Sequence, residues 1–357
     1  MRPSPYEGLT LTQVARRIAA PALFVGALFW LLLRPSTPPP VLNGPGRVLT
    51  TFEGESLGTN FTVHIVGTTL SAGETAAASD AIRDELDEVD QLMSTWKEDS
   101  ELSRLNRSPV GVAFPLSAET VTVLQHAGAI HKASDGAFDV TVAPLVRAWG
   151  FGAGAEAQPP SDAALATLRM SVGQDKLTLG AEAATRTDAG VHIDLSAIAK
   201  GWAVDEVSAA LSRLGHPDHM VEVGGEVRAS GTNASDQPWR IAIEQPSNGR
   251  RTANHVVGLM DQAMATSGDY RNFREVDGKR ISHTIDPRTG RPVEHTLASI
   301  SVVAPTCVDA DGWATALMVL GPEAGLARAE AEGIAAYFLV RTEDNFESHA
   351  TSAFEAL

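Results

Sequence analysis

The 357-residue sequence contains a single cysteine, Cys307, and so cannot form an intrachain disulfide. It also lacks any Cys-x-x-Cys pair or Cys/His spacing that would hold zinc or an iron–sulfur cluster. Because a lone cysteine is usually a small buried residue, we expect Cys307 to lie in the core. Its position far from the N-terminus excludes lipid attachment at an N-terminal cysteine.

Basic residues are also few. The chain carries 28 Lys and Arg against 44 Asp and Glu, which gives a formal net charge of −16. Such a chain repels the backbone of nucleic acids, so we exclude DNA and RNA as partners. A ligand with phosphate groups needs a local exception to this charge: a bound cation, a lysine or arginine, or backbone N–H groups.

The rest of the composition is that of a globular protein. Hydrophobic residues make up 43% and charged residues 20%, which excludes wholesale disorder and fibrous repeats. The chain is roughly two to three times as long as a usual domain, so the length predicts a substantial core in two lobes.

One long uncharged stretch lies near the N-terminus. It runs from Ile18 to Leu33, follows Arg16 and Arg17, and precedes a Pro-rich linker at 34–49. A membrane span needs about 20 residues and a signal-peptide core roughly 7–15, so the stretch is an export signal or a membrane anchor. The absence of a small-x-small cleavage site favours an uncleaved anchor in the inner membrane of a bacterium. The arginine pair predicts that residues 1–17 are cytoplasmic and that everything after the linker faces the periplasm.

Beyond the linker, helices and strands mix without a regular βαβ period or an internal repeat, which predicts an α+β protein with mixed sheets. Helical spacing of apolar residues predicts helices over 76–93, 118–134 and 198–214. Apolar runs predict strands over 59–66, 176–179, 191–195, 239–243, 280–285 and 298–303, and a strand pair over 221–230. The Gly- and Pro-rich segment 150–160 is predicted to be a loop.

Two segments have compositions that favour ligand binding. In 134–152, glycines and a proline surround Phe138 and Asp139, which suits a loop presenting an aromatic face and a carboxylate to a flat ligand. The alternative is an ordinary helix-to-loop turn. In 193–205, Asp194 and Ser196 precede a helix that carries Lys200, and a helix N-terminus with a lysine can bind an anion. A plain N-cap explains Asp194 or Ser196 equally well.

Two further segments carry groups for acid–base or metal chemistry. In 265–290, a polar turn at 266–268 is followed by His283 and Asp286. A histidine at a strand end beside a carboxylate can act as a general base, although a structural histidine is the alternative. In 309–320, Asp311 and Thr315 are four residues apart and share one helix face. Their oxygens suit a hard cation such as Mg²⁺, whereas most such pairs only form a solvated face.

In this order, the segments resemble the ApbE family of FAD:protein FMN transferases. Each motif alone is weak, but the ordered set is highly specific. The resemblance covers about residues 50 to 340 and rests on the motifs LGTNF, STWKEDSELSRLN, GAFDVTVAPLVRAWGFG, IDLSAIAKGWAVD, VEVGGEVRASG, ATSGDYRNF, HTIDPRTGRPV and DADGWATALMVLG.

The resemblance implies a two-lobe, T-fold-like mixture of helices and strands that binds FAD in a cleft, with Mg²⁺ or Mn²⁺ at the pyrophosphate. The cation would be held by Asp311, Thr315 and the backbone carbonyl of Ala197. Some relatives carry a second acidic ligand just before the threonine, where this chain has Ala314. The flavin-site positions implied by the resemblance are Leu57, Trp96, Ala137, Phe138, Asp139, Asp194, Lys200 and Ile285.

The reaction implied by the resemblance transfers FMN to a protein. A threonine or serine hydroxyl in a Ser/Thr-Gly-Ala-Thr type motif attacks the phosphorus on the riboflavin side of FAD, and AMP leaves. We assign His283 as the base by hypothesis. Because the chain has no copy of the motif, the acceptor must be another periplasmic or membrane-bound protein. Candidates are a subunit of a sodium-pumping quinone reductase, a related electron-transfer complex, or a nitrous-oxide-reductase maturation flavoprotein.

Two other functions stay open. Attack by water on the same pyrophosphate would make the protein an FAD pyrophosphatase that yields FMN and AMP. Loss of the chemistry would leave a noncatalytic flavin-binding assembly factor for a periplasmic redox enzyme. The presence of His283, Asp311 and Thr315 disfavours the second option, but Ala314 leaves it open. We place the flavin transferase domain at 50–345 and a C-terminal tail at 346–357.

Overall fold

The computed structural model describes residues 47–153, 155, 159–245, 252–268, 273–276, 279–343 and 345–357. The predicted cytoplasmic N-terminus, the predicted membrane anchor and most of the predicted linker lie outside the described residues. Among the helices in the described ranges, none has the length and apolar character needed to cross a membrane.

Helices and strands interleave along the described chain, as the predicted α+β class requires. The helices are α1 (Ala72–Met93), α2 (Glu101–Arg107), α3 (Ala118–Ala133), α4 (Ala143–Ala148), α5 (Asp162–Arg169), α6 (Ala199–Arg213), α7 (Cys307–Ala331, kinked at Gly321) and α8 (Ser352–Glu355). The strands are β1 (Val48–Ser56), β2 (Thr59–Gly67), β3 (Phe114–Pro115), β4 (Leu177–Leu179), β5 (Ala183–Arg186), β6 (His219–Val223), β7 (Glu226–Ser230), β8 (Trp239–Gln245), β9 (Thr252–Leu259), β10 (Gln262–Gly268), β11 (Phe273–Val276), β12 (Lys279–Ser282), β13 (Ile285–Asp286), β14 (Arg291–Pro292), β15 (Leu297–Ala304), β16 (Ala335–Arg341) and β17 (Phe346–Ala350).

An eight-stranded sheet forms the centre of the fold. Its order is β1-β2-β6-β7-β10-β15-β16-β17, so position in the sheet follows position in the chain. Each neighbouring pair is antiparallel. The smaller sheets are β3-β5-β4, β8-β9, β11-β12 and β13-β14. Residues 43–357 group into one compact unit, so the two lobes expected from chain length are parts of a single body.

Strand alternation decides which layer each side chain of the central sheet joins. In β16, Ala336 and Phe338 pack in one buried cluster with residues of α7, whereas Tyr337 and Leu339 pack in another with the β8–β9 ribbon. On β2, the odd-numbered residues from Phe61 to Ile65 join the cluster of α1, α3 and α6. Helices therefore cover one face of the sheet, and the β8–β9 ribbon covers part of the other.

The predicted helices agree closely with the structure. Helix α1 begins at Ala72, four residues earlier than predicted, because Ser71 and Glu74 form a capping box. The Ser71 amide donates to Glu74 Oε2 at 2.8 Å, and the Glu74 amide donates to Ser71 Oγ at 3.3 Å. The apolar face predicted from the spacing is buried and consists of Ile82, Leu86, Val89 and Met93.

The predicted strand at 191–195 is wrong. Its side chains alternate as in a strand, but its backbone is bonded mostly by a side chain. Asn106 accepts from the Ile193 amide at 2.8 Å and donates to the Ile193 carbonyl at 2.9 Å. The Asp194 amide donates to the Val140 carbonyl at 2.7 Å. Among the described residues, the strand-type pairing of this segment is limited to one isolated parallel bridge between Val142 and His192.

Three other predictions are corrected. The predicted strand 280–285 is broken at His283, between β12 and β13. The polar turn predicted at 266–268 is instead part of strand β10. The predicted tail 346–357 belongs to the folded domain, because β17 pairs with β16 and Phe354 of α8 is buried.

Helices α6 and α7 are in close backbone contact at Gly201. A Cβ atom at this position would lie 2.3 Å from the Cys307 carbonyl oxygen and 2.8 Å from Asp311 Cβ. At the same point the Gly201 amide donates to Asp311 Oδ2 at 3.0 Å. Cys307 is fully buried here, as predicted. Only a residue without a side chain allows this contact.

We expect Gly201→Ala to lower the free energy of unfolding by about 2–3 kcal/mol, because the methyl group forces α6 and α7 apart. Urea unfolding followed by circular dichroism measures this loss. Gly73→Ala in α1 is the matched control, since a Cβ there meets nothing within 4 Å. The control should be neutral or stabilising by less than about 1 kcal/mol. Equal stability of the two variants would contradict the packing argument.

Candidate active site

A cavity of about 930 Å³ opens where the segment before α6, the β6–β7 hairpin, β10 and α7 meet. Its size is typical of sites for cofactors and other small molecules. The predicted site residues that line it are Ala137, Phe138, Asp139, Asp194, Ala197, Lys200, His283, Ile285, Asp311 and Thr315.

Two predicted flavin positions do not line this cavity. Leu57 lies in the β1–β2 turn with a positive φ of 52°, and its side chain packs against the main core cluster. Trp96 is 73% exposed. Its neighbour Thr95 lines a smaller cavity of about 190 Å³, which shares Asp194 and Val146 with the large one.

One face of α7 supplies the metal-type oxygens, as the i, i+4 spacing predicts. Asp311, Thr315 and Val319 line the cavity at successive turns. Asp311 is only 3% exposed, and Thr315 Oγ1 lies 3.3 Å from Ser267 Oγ on β10. Ala314 is fully buried in the cluster between α7 and the sheet. Position 314 therefore faces the core, and Ala314 leaves no gap among the residues that line the cavity.

The segment before α6 turns backbone groups toward the cavity. The N-cap of α6 is Ile198, so the alternative explanation of Asp194 or Ser196 as a plain N-cap does not hold. Asp194 Oδ1 instead accepts from the amide and hydroxyl of Ser196 within the turn. Because the Gly201 amide donates to Asp311, the Ala197 carbonyl has no helical donor four residues ahead. Its oxygen is thus available to a ligand.

Lys200 joins two buried carboxylates. Its Nζ lies 3.0 Å from Glu226 Oε1 and 3.6 Å from Asp311 Oδ2. Burial acts to lower the pKa of Lys200, but the charges of Asp311 and Glu226 outweigh it and raise this pKa above its usual value. Burial raises the pKa of Glu226, whereas the charge of Lys200 opposes this shift and favours the carboxylate; the charge of Asp311 adds to the rise. Lys200 therefore stays charged at the floor of the site.

The described lining carries six carboxylate side chains and one lysine. A pyrophosphate would be repelled by this surface unless a cation came with it. The oxygens of Asp311, Thr315 and Ala197 are the hard ligands that Mg²⁺ prefers, and Mg²⁺ keeps several waters. Among the described residues, no three His, Cys, Asp or Glu side chains converge to hold a metal ion, so a cation here would need hydroxyl and carbonyl oxygens and water beside the Asp311 carboxylate. The donors present therefore fit Mg²⁺.

His283 lies at the bend between β12 and β13 and lines the cavity. Its ring makes an edge contact with Phe151, with 6.3 Å between centroids. The predicted partner, Asp286, is bound instead by the guanidinium of Arg288, with both contacts at 2.9 Å. The predicted His–Asp pair is therefore wrong, while the placement of His283 in the site agrees with the prediction.

The loop after α3 places the carboxylate-bearing residue Asp139 in the lining of the cavity. Asp139 Oδ1 accepts from the amide and the hydroxyl of Thr141, at 2.8 and 2.6 Å. The loop turns at Asp135 and Gly136, both with positive φ. Phe138 is buried, so its ring is part of the core and not the exposed aromatic face predicted from the sequence.

The model of the ApbE family matches residues 57–338 of this chain. The chain belongs to the ApbE family. The FAD:protein FMN transferase of Vibrio cholerae is 45% identical over 273 residues, which cover 76% of this chain and 81% of the relative. That of Escherichia coli (strain K12) is 36% identical over 355 residues, which cover 98% and 97%. The solved flavin transferase ApbE from Vibrio cholerae is similar in structure, with a TM-score of 0.80 at 39% identity, over 87% of this chain and 99% of that one.

Two residues of this ApbE-family site were not predicted individually. Glu226 follows the Gly224-Gly225 turn and is paired in register with the buried Val223. A glutamate paired with a buried valine is unexpected in a purely structural hairpin. This pairing is the signal by which Glu226 could have been identified. Asn106 bonds the segment before α6 but lies 87 residues from Ile193, so no local pattern connects the two.

The N-terminal end of α7 is anchored by charged contacts, which fixes the start of the Asp311 helix. Asp205 of α6 accepts from the amides of Cys307 and Val308, at 3.0 and 2.9 Å. His126 of α3 bonds Asp309 through Nδ1 at 2.7 Å. The hydrogen bond to Asp309 raises the pKa of His126. Burial works against the charge of Asp309, but bonds from His126 and Thr306 hold its pKa below the usual value.

The His126–Asp309 pair should stabilise the protein within a pH window. The Asp309 contribution is present above the usual pKa of 3.8 and is lost as pH falls through the lowered value. The His126 contribution is present below the usual pKa of 6.5 and is lost as pH rises through the raised value. The pair therefore contributes most between about pH 4 and 6.5.

We expect His126→Gln to lower the free energy of unfolding by up to about 1 kcal/mol near pH 5.5 and by clearly less near pH 9. The small size reflects the exposure of the two side chains, 32% and 36%. Urea unfolding at both pH values measures the difference. His349→Gln on exposed β17 is the control and should change little at either pH. An equal loss for His126→Gln at both pH values would rule out the ion pair.

Proposed function

We propose that this chain is a Mg²⁺-dependent FAD:protein FMN transferase. One observation carries the proposal: segments far apart in the sequence bring their predicted residues to a single cavity that contains a cation-type oxygen set, a half-buried lysine and a histidine. The names of the relatives support the same activity. FAD is the substrate that the site would bind, and FMN is the group that it would transfer.

The pyrophosphate of FAD would lie at the floor of the site. Asp311, Thr315 and the Ala197 carbonyl would hold Mg²⁺ or Mn²⁺. The cation would offset the negative charge of the phosphates and polarise the phosphorus–oxygen bond that breaks. Lys200 adds a fixed positive charge next to Asp311, 3.6 Å away. Phosphoryl transfer requires mainly this kind of positioning and charge neutralisation.

The transfer step exchanges the phosphoanhydride bond of FAD for a phosphoester bond to the acceptor. The acceptor hydroxyl oxygen forms a bond to the phosphorus on the riboflavin side, and the bond from that phosphorus to the bridging oxygen breaks. The bridging oxygen leaves as a phosphate oxygen of AMP. His283, which lines the cavity, takes the hydroxyl proton. The product is FMN in phosphoester linkage to threonine or serine.

The acceptor is proposed to be a separate flavoprotein with a Ser/Thr-Gly-Ala-Thr type motif. Two segments of the chain share letters with that motif, but both are fixed inside the fold. In the first, Thr266 bonds Ser301 at 2.7 Å within the sheet. In the second, Thr351 is fully buried and its hydroxyl donates to the Ile334 carbonyl at 2.7 Å. Thr266 lines the cavity, but its hydroxyl is engaged with Ser301, and the Thr351 hydroxyl is engaged in the core, which supports transfer to another protein.

We also propose that the domain faces the periplasm and is attached to the inner membrane by residues 18–33. The basic pair Arg16 and Arg17 before the apolar stretch supports this orientation. Alkaline phosphatase fused after residue 45 should be active and should sediment with membranes. An inactive fusion would place the domain on the cytoplasmic side.

The activity is tested by incubating the protein with FAD, Mg²⁺ and an acceptor-motif protein, followed by a denaturing gel under ultraviolet light. We expect a fluorescent acceptor band with release of one AMP per acceptor, and loss of the band in EDTA, restored by excess Mg²⁺. AMP release without a band would identify a pyrophosphatase. FAD binding without either product would identify a noncatalytic assembly factor.

In the same assay, His283→Asn should reduce the transfer rate by about 10²-fold or more, because the hydroxyl keeps its proton. FAD affinity, measured by quenching of flavin fluorescence, should change only a few-fold. The matched substitution His349→Asn on exposed β17 should leave both properties unchanged. Transfer by His283→Asn at the rate of the unaltered protein would remove His283 from the role of base.

A further inference from the structure

Glu226 has one carboxylate oxygen that finds no hydrogen-bond partner among the described residues. Its side chain is buried, with the residue 4% exposed, and it lines the large cavity. Oε1 is paired with Lys200, whereas Oε2 is buried and accepts no hydrogen bond. A buried acceptor without a donor costs free energy comparable to its lost hydration. Such an oxygen in a binding cavity indicates a donor that arrives with a ligand.

Two backbone amides near Glu226 donate to other carboxylates. The Gly225 amide, next in the hairpin, donates to Glu222 Oε1 at 2.8 Å. The Gly201 amide donates to Asp311 Oδ2 at 3.0 Å. Lys200 lies between the carboxylates of Glu226 and Asp311 and contacts both. The Glu226 carboxylate therefore lies near Asp311 in the cavity, and the Lys200 ammonium contacts both carboxylates.

The chemistry of this corner favours a water molecule bound to a cation. A carboxylate that already pairs with an ammonium is a poor direct ligand, because the cation and the ammonium would repel each other at short range. Mg²⁺ retains several of its waters in protein sites, and these waters are strong hydrogen-bond donors. Carboxylates that accept from metal-bound groups fix their orientation and raise metal affinity.

We propose that Glu226 is a further positioning residue of the cation site, where Oε2 accepts a hydrogen bond from a water on the divalent cation held by Asp311 and Thr315. Glu226 would also keep Lys200 from closing on Asp311 and blocking the cation. The proposal rests on the cation of the proposed function and not on the transfer reaction. It can therefore be tested without FAD or an acceptor.

The test is Mn²⁺ binding to the full chain, followed by the electron paramagnetic resonance signal of free Mn²⁺, with Mg²⁺ as competitor. Glu226→Gln keeps the shape of the side chain and should weaken Mn²⁺ binding by about tenfold or more. Glu55→Gln removes the same charge from an exposed position on β1, outside the cavity, so it should weaken binding by less than about threefold. Glu226→Met, which leaves no buried polar atom, should reproduce the loss if Glu226→Gln folds poorly.

A second pair of variants separates a direct role from one that acts only through Lys200. In a Lys200→Met background, Glu226→Gln should still weaken Mn²⁺ binding several-fold, because the water still needs its acceptor. No further loss in that background would overturn the proposal. Unaltered affinity of Glu226→Gln beside a wild-type protein that binds Mn²⁺ would also overturn it, with the proposed function intact. A wild-type protein that binds no divalent cation would overturn both.

Discussion

The buried carboxylate of Asp311 is the constraint on which the site depends. A charge at this depth must be paired, and its partners are the amide of Gly201 and the ammonium of Lys200. Both partners belong to the first turn of α6. Pairing of the Asp311 carboxylate with them therefore holds α6 so close to α7 that Gly201 contacts the backbone at Cys307. Glycine at 201 follows from that approach. Because the Gly201 amide donates to Asp311 and not to Ala197, the carbonyl of the cavity-lining Ala197 is left without its helical donor. One electrostatic requirement thus explains the helix contact, the glycine and the free carbonyl.

The acidity of the protein and its proposed substrate are compatible because the charge is organised locally. The chain is strongly negative as a whole, and its cavity is negative as well. One lysine shared by two carboxylates leaves the floor of the site short of positive charge. A divalent cation changes the sign of that floor, and a dinucleotide is then attracted where it was repelled. In the proposed function, the cavity would therefore take a cation and a phosphate together and not the phosphate alone.

The sequence predicts those features that are set by local periodicity or spacing. The buried face of α1 follows from its apolar repeat, and the shared face of Asp311 and Thr315 follows from their separation of four residues. Features that depend on distant partners were predicted wrongly or not at all. The segment 191–195 has the alternation of a strand, but Asn106 takes the place of a neighbouring strand. Glu226 gains its significance only because α6 brings Lys200 to it.

The resemblance to the ApbE family predicts site positions that local patterns do not reveal. Some of the positions that it predicts lie in the cavity and others do not. Ala137 and Ile285 have no chemistry that would mark them, yet both line the cavity. Leu57 and Trp96 were assigned in the same way and lie outside the large cavity. Their side chains sit on a turn and on an exposed loop, where position depends less on the packed core than on what binds there.

The strand order of the central sheet has a consequence for how the protein is assembled. Position in the sheet follows position in the chain, so each strand pairs with one that has already been made. A chain that emerges N-terminus first can extend the sheet at one edge and never has to insert a strand between two paired neighbours. Helix α7 comes in the last third of the chain, after six of the eight strands of the central sheet. The polypeptide thus makes most of its central sheet before the helix that carries Asp311 and Thr315, and the cavity cannot form until that helix has been made.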